Sequence, residues 1–272
     1  MQASPAWTPP TGTLGGIVCE AYERAEALRA TRTELDRRAA NAPATLSLRD
    51  ALRRASVGVI AEVKRRSPSK GWINASLSAV DQAAAYEAGG AVAVSVLTEP
   101  AHFGGSNEDL IEARQRVRIP VLKKDFHVAP IQLVEAKAIG ASAALVIVRA
   151  LSPHALARMM DAARELALDV IVEIRDESEL HRALDVGANI VGINNRNLET
   201  LVIDSERSSR LLELIPPDVI GIAESGVSSR ADVQRVAAAG ADAVLVGSVL
   251  SASGDPTSAV RDLSGVSRVD RR

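Results

Sequence analysis

The chain has little that would tie a fold covalently or hold it in a membrane. Cys19 is the only cysteine in 272 residues, so no disulfide can form within the chain. Nothing near the start reads as a positive stretch followed by an apolar signal run, and no apolar stretch reaches the ~18–20 residues that cross a bilayer. Both absences lead to the expectation of a cytoplasmic chain with no membrane partner. An excess of one charge is also missing. The 32 Lys and Arg against 34 Asp and Glu leave a formal net charge of −2, without the basic footprint of a nucleic-acid binder.

Several chemical signatures are absent as well. Neither G-x-G-x-x-G nor G-x-x-x-x-G-K-[ST] occurs, which argues against a dinucleotide or P-loop sheet. There is no G-x-S-x-G nucleophile elbow. His102, His127, His154 and His181 are scattered singly without metal-ligand spacing, so no metal and no cofactor is expected. Cys19 lies in an N-terminal extension and reads as a small packing residue.

What the chain does have is a core, at 47% hydrophobic and 24% charged residues. From Val57 onward, eight short apolar runs alternate with longer amphipathic stretches. The runs are "GVIAEV", "AVAVSVL", "IPVLKK", "SAALVIV", "DVIVEI", "NIVGIN", "DVIGIA" and "DAVLVG". Intervening segments such as "PHALARMMDAARELAL" carry helical spacing, and several stop at glycine. Near-continuous apolar strands are buried on both faces, as in parallel sheets. Eight strand and helix units favour an α/β fold, a closed (β/α)8 TIM barrel, over an open sheet.

A single domain over residues 1–272 is expected, with an N-terminal helical extension (1–56), the barrel (57–263) and a C-terminal tail (264–272). Within the extension, "MQASPAWTPPTGTLGG" reads as a poorly ordered leader, and Ile17 to Ala40 as an amphipathic helix.

In such barrels the active site lies at the C-terminal strand ends. Polar residues gather there: Glu62 and Lys64, Thr98 and Glu99, Lys124 and Asp125, Glu173, Asn194, Glu224 and Ser225, Gly247 and Ser248. Glu62 and Lys64 stand two apart on a strand and share a face. Alone, that pair reads equally as a structural ion pair plugging the barrel end. Lys124, Glu173, Asn194 and Glu224 at equivalent positions favour a site for a polar substrate, because buried charges are costly without partners. "AESGVSSR" and "VGSVL" put small residues and free backbone N–H groups where barrels often bind phosphate, although Gly226 and Gly247 also read as turn glycines. Phe103, Phe126 and Trp72 all fall in loops after strands, which suggests a flat apolar pocket beside the charges. Aromatics packed under helices are the alternative.

With "VIAEVKRRSPSKG", "LTE", "FGGS", "PVLKKDF", "IVEI", "GINNRNL", "AESGV" and "VGSVL" in order from Gly58 to Val249, the chain resembles the indole-3-glycerol phosphate synthase family. The resemblance implies ring closure, decarboxylation and dehydration of 1-(2-carboxyphenylamino)-1-deoxyribulose 5-phosphate, a step of tryptophan biosynthesis. It implies Lys124 as the general acid, Glu173 and Lys64 for later proton transfers, and Glu62 for positioning. Asn194 and Arg196 would hold sugar hydroxyls and orient the carboxylates. Ser225, Gly226, Gly247 and Ser248 would cradle phosphate, with Ser67 and Lys64 near it. Phe103, Phe126, Pro68 and Leu145 would wall the aryl pocket, and Glu99 and Glu224 would complete the charge network. Asn197, His127 and Ile131 depart from the family's usual pattern.

A related phosphoribosylanthranilate isomerase would need a cysteine ending the first strand, and a Schiff-base aldolase a lysine ending the sixth. A catalytically silent barrel that only binds is the reading from another class. The expected protein is a monomer or weak homodimer acting on a small phosphorylated molecule.

Overall fold

The computed structural model describes residues 7–271. Eight parallel strands close into one barrel: β1 (Gly58–Val63), β2 (Ala93–Leu97), β3 (Val121–Lys124), β4 (Ala143–Ile147), β5 (Asp169–Ile174), β6 (Ile190–Asn194), β7 (Ile220–Glu224) and β8 (Ala243–Val246). Each strand pairs with its sequence neighbours, and β8 returns to β1 through Gly58↔Ala243 to Ala61↔Val246. The strands are buried almost throughout, as their apolar runs require. Seven fall within the predicted runs, and β7 passes the end of its run by one residue, Glu224.

Six of the helices around the barrel have explicit starts. Ser78, Ser106, Ser152, Asp176, Ser229 and Asp255 each accept a hydrogen bond from the backbone N–H three residues on, and so satisfy one of the donors a helix start leaves free. Among the described residues, no helix is long and apolar enough to cross a membrane.

The N-terminal part differs from expectation. Residues 1–6 of the expected leader lie outside the described residues. The remainder is ordered: Trp7 Nε1 donates to Arg149 O, and α1 (Gly12–Leu28) begins five residues before Ile17. The glycines that read as loop are used for close approach. A Cβ on Gly12, whose φ is +57°, would meet Glu199 O at 2.5 Å, and one on Gly15 would meet Pro10 O at 2.6 Å. Tertiary contact overrides local propensity here. The expected single helix to Ala40 breaks at a 3-10 turn, Arg29–Thr31, before α2 (Arg32–Ala40).

Leu14, Ile17, Val18, Ala21 and Ala25 give α1 its buried face. Cys19 lies off that face and is exposed, which corrects the packing role expected of it. At the other end of the barrel the tail is held in place: Val57 N donates to Val266 O, and Arg268 and Arg271 reach Asp242.

Candidate active site at the barrel mouth

Lysines and glutamates meet where the strands end, because neighbouring strands bring their last residues into register. Asn194 of β6 pairs with Glu224 of β7, and Ile147 of β4 pairs with Glu173 of β5. Lys124 Nζ lies 3.5 Å from Glu173 Oε2 and 3.5 Å from Glu224 Oε2. Lys64 Nζ donates to Glu62 Oε1 at 2.9 Å, and Ser95 Oγ approaches Glu62 Oε2 at 3.4 Å. Asn194 Nδ2 donates to Glu173 Oε1 at 3.1 Å, and its Oδ1 accepts the Arg196 N–H at 2.9 Å. The charges are therefore paired, which is what makes their burial tolerable.

Backbone without side chains makes room for two of the carboxylates. A Cβ on Gly192 would lie 2.1 Å from Glu224 Oε1, and one on Gly247 would lie 2.5 Å from Glu62 Oε1. Gly247 is therefore more than a turn glycine. Ser225 and Gly226 follow one another with φ of +64° and +79°, a left-handed reversal that glycine tolerates and serine adopts at a cost.

The cluster sets distinct protonation states. Burial alone would raise the Glu62 carboxyl, but Lys64 and Lys124 overcome it and hold Glu62 below the usual carboxylate range. Burial opposes the Lys124 charge too, yet Glu224, Glu173 and Glu62 raise it above the ordinary lysine value. Glu224 is pushed up to about 8, by burial first and by Glu173 and Glu62 next, against the pull of Lys124. Its Oε1 is buried without a hydrogen-bond partner, consistent with a neutral acid.

A cavity of about 660 Å³ opens over these groups, within the range of small-molecule sites. Its lining includes Glu62, Lys64, Ser67, Pro68, Phe103, Lys124, Phe126, Leu145, Glu173, Asn194, Arg196, Glu224, Ser225, Gly226, Gly247 and Ser248. Phe103 and Phe126 stand with ring centres 6.0 Å apart, and the Lys64 ammonium lies 5.9 Å from the Phe103 ring centre.

Two expected members do not join this group. Glu99 is wholly buried and does not line the cavity. Its oxygens cap the short helix Pro100–Phe103 by accepting from Ala101, His102 and Phe103 N–H, and Arg24 of α1 lies 3.6 Å away. It holds the loop that carries Phe103 and has no place in the lysine network. Trp72 is 59% exposed and outside the cavity, with the Arg66 guanidinium over its ring and Gly104 beneath it.

Other lining residues carried no signal in the sequence. Thr13, Leu14 and Ile17 reach the cavity from α1, and Leu198, Leu201 and Ile203 reach it from the loop after β6. Only tertiary packing brings them there. Glu20, Glu99 and His102 offer ligand atoms within 4.8 Å of one another, a grouping that no sequence spacing revealed. Glu99's oxygens already serve the helix cap and Arg24, so the trio reads as a hydrogen-bonded anchor for α1.

The departures from the family's pattern have local explanations. His127 is buried behind the cavity wall, and its Nδ1–H donates to Leu145 O at 2.7 Å. Burial first, and Lys123 next, lower its pKa to about 4 and keep it neutral. Ile131 packs in the core, and Asn197 Oδ1 accepts the N–H groups of Glu199 and Thr200, tightening the loop after β6.

The four cations of "KRRSPSKG" serve different ends. Lys64 and Lys70 line the cavity, and Arg66 stacks on Trp72. Arg65 forks onto Asp109 at 2.6 and 2.7 Å and also donates to Leu77 O and Gly104 O. A two-stranded ribbon, Arg66–Ser67 with Gly71–Trp72, then carries the loop over the mouth. Arg65→Met should cost about 3 kcal/mol and lower Tm by roughly 5–10 °C, because it strands Asp109. Calorimetry checks this, and a Tm within about 1 °C of the parent would mean that the fork contributes little.

The sequence profile described as "Indole-3-glycerol phosphate synthase" matches residues 16–263. A protein of that name from Mycolicibacterium gilvum is 49% identical over 230 residues, covering 85% of each chain. One from Rhodococcus jostii is 49% identical over 225 residues, covering 83% of this chain and 84% of its own. "Indole-3-glycerol phosphate synthase 2" of Streptomyces coelicolor is 43% identical over 257 residues, 94% of this chain and all of its own. Among solved structures, a thiamine phosphate pyrophosphorylase from Pyrococcus furiosus matches with a TM-score of 0.57 at 18% identity, covering 80% of this chain and 96% of its own. That likeness concerns the barrel fold alone.

Proposed function

Because this chain belongs to the indole-3-glycerol phosphate synthase family, we infer that Lys124, Glu173, Lys64 and Glu62 carry out that family's reaction in its barrel mouth. It is a carboxy-lyase of tryptophan biosynthesis. Its substrate, 1-(2-carboxyphenylamino)-1-deoxyribulose 5-phosphate, closes its ring and loses carbon dioxide and then water to give indole-3-glycerol phosphate.

What supports the role assignment is one cavity whose lining offers a surface suited to each of the three parts of the substrate. Phe103 and Phe126 supply an apolar wall for the aryl ring, Lys124 and its carboxylates surround the centre, and Ser225, Gly226, Gly247 and Ser248 edge the far side.

In the first step the ring carbon bearing the carboxylate attacks the ketose carbonyl. Lys124, held protonated against burial by the Glu173 and Glu62 carboxylates, gives its proton to the carbonyl oxygen as the C–C bond forms. The carboxylate leaves as carbon dioxide, and its bonding pair restores the aromatic ring. The new hydroxyl then takes a proton and leaves as water, and a proton leaves the adjacent carbon to complete the indole. Glu173 and Lys64 serve these later transfers, and Glu62 keeps Lys64 in position. Asn194 orients Glu173 and, with Arg196, meets the sugar hydroxyls. The phosphate sits at Ser225–Gly226 and Gly247–Ser248 with Ser67 near it, and Pro68 and Leu145 complete the aryl wall.

The rival isomerase chemistry lacks its base, since Cys19 is on the outer face of α1 and β1 leads to Lys64. The aldolase lysine is replaced by Asn194. A cytoplasmic, monomeric or weakly dimeric enzyme without cofactor is part of the same proposal. Offering the purified protein the carboxyphenylamino-deoxyribulose phosphate and, separately, phosphoribosylanthranilate tests it. Indole absorbance from the first alone is expected, and turnover of the second alone would contradict it.

A further inference from the structure

The loop after β6 contains a carboxylate with an unusual set of partners. Glu199 Oε1 accepts from Thr11 N at 2.9 Å, from Thr11 Oγ1 at 3.2 Å and from Arg149 Nη2 at 2.9 Å. Glu199 Oε2 accepts from Arg175 Nη1 at 2.6 Å and from Arg149 Nε at 3.3 Å. Arg149 follows β4, Arg175 follows β5, and Thr11 is the residue before α1. One carboxylate thus ties the ends of three barrel strands to the start of the N-terminal helix.

The backbone repeats the tie. Thr13 N donates to Glu199 O at 3.3 Å, and Gly12 brings the chain close enough that a Cβ would collide with that carbonyl. Arg149 also donates to Thr8 O at 2.7 Å and Pro9 O at 3.3 Å, while Trp7 Nε1 donates to Arg149 O. Beyond this knot α1 turns Thr13, Leu14 and Ile17 into the cavity, and Leu198 and Leu201, on either side of Glu199, line it as well. A second anchor, Arg24 on Asp125 at 2.9 Å, fixes the later part of α1 beside Phe126.

We propose that Glu199 is a positioning residue for the reaction: its carboxylate latches α1 over the mouth and so sets the wall of Leu14 and Ile17 that covers the bound substrate. Glu199 reaches no reacting atom and acts through the helix it holds. The proposal rests on the synthase reading above. Charge supports the latch, since the Thr11 N–H and the two arginines overcome burial and hold the Glu199 carboxyl down at about 2. Charge-assisted bonds of this kind are stronger than neutral ones.

The test compares the full-length wild type with Glu199→Gln, Leu14→Ala and the double variant. A Trp72→Phe background leaves Trp7 as the only tryptophan and makes it a fluorescent reporter of the latch. Glu199→Gln is expected to raise KM by about tenfold, with kcat changed less than about threefold, and to shift Trp7 emission to the red. In the Leu14→Ala background the same change should raise KM by less than about twofold, since the wall it positions is already gone.

If Glu199→Gln folds poorly, Arg149→Lys keeps the cation, loses the fork and should move KM and Trp7 emission the same way. Unchanged KM and emission, or equal KM effects in both backgrounds, would overturn the latch while leaving the synthase reading intact. A wild type that never turns the substrate over would bring down that reading and this proposal together.

Discussion

Lys124→Ala is expected to lower kcat by about 10²–10⁴-fold, the contribution of a well-placed general acid. The lysine is the only ammonium within reach of both Glu173 and Glu224 among the described residues. The Glu173 and Glu62 carboxylates hold it as a cation, so it has a proton to give at neutral pH. Its removal also leaves the carboxylates without their shared counter-charge, and proton uptake by the cluster should accompany the loss. Lys124→Met, which keeps more of the side chain's volume, separates chemistry from packing. Both variants should still bind a substrate analogue whose carbonyl has been reduced, because the residues proposed to hold the phosphate and the aryl ring lie elsewhere in the cavity lining. A kcat within about tenfold of the parent would remove Lys124 from the acid's role.

Glu224 should impose a pH dependence on stability that Glu224→Gln abolishes. Its folded-state pKa is raised from 4.5 to about 8, so the folded protein holds this proton where the unfolded chain has already released it. The stabilisation is complete below pH 4.5 and is lost as pH rises through about 8. The slope in between is at most about 1.4 kcal/mol per pH unit for one proton. Glutamine mimics the neutral acid in shape and hydrogen-bonding capacity, so the variant should match the parent near pH 5 and exceed it at pH 9. Chemical denaturation across that range checks this. Parallel curves for the two proteins would mean that Glu224 is already ionised in the folded state.

The barrel was legible because each strand is buried on both faces and several helices stop at a glycine, patterns that survive in one dimension. The charged cluster was legible for a related reason, since the fold dictates which end of each strand is the mouth. Glu99 shows where this reasoning fails. A glutamate at a strand end can cap the following helix instead of facing the cavity, and the two uses look alike without coordinates. Trp72 likewise fell in a loop that leads to the mouth but turns outward. The order of residues 7–16 was hidden because the partners of that segment, Arg149 and Glu199, lie more than a hundred residues away. Proline and glycine there read as disorder until those contacts are known.

A single-turnover experiment tests the central claim most directly. Excess purified protein is mixed with 1-(2-carboxyphenylamino)-1-deoxyribulose 5-phosphate carrying a labelled carboxylate, and released carbon dioxide and indole absorbance are followed together. Equal yields of labelled carbon dioxide and indole-3-glycerol phosphate, both suppressed by Lys124→Ala, are the predicted result. Folded protein that binds the substrate yet releases neither product would contradict the account.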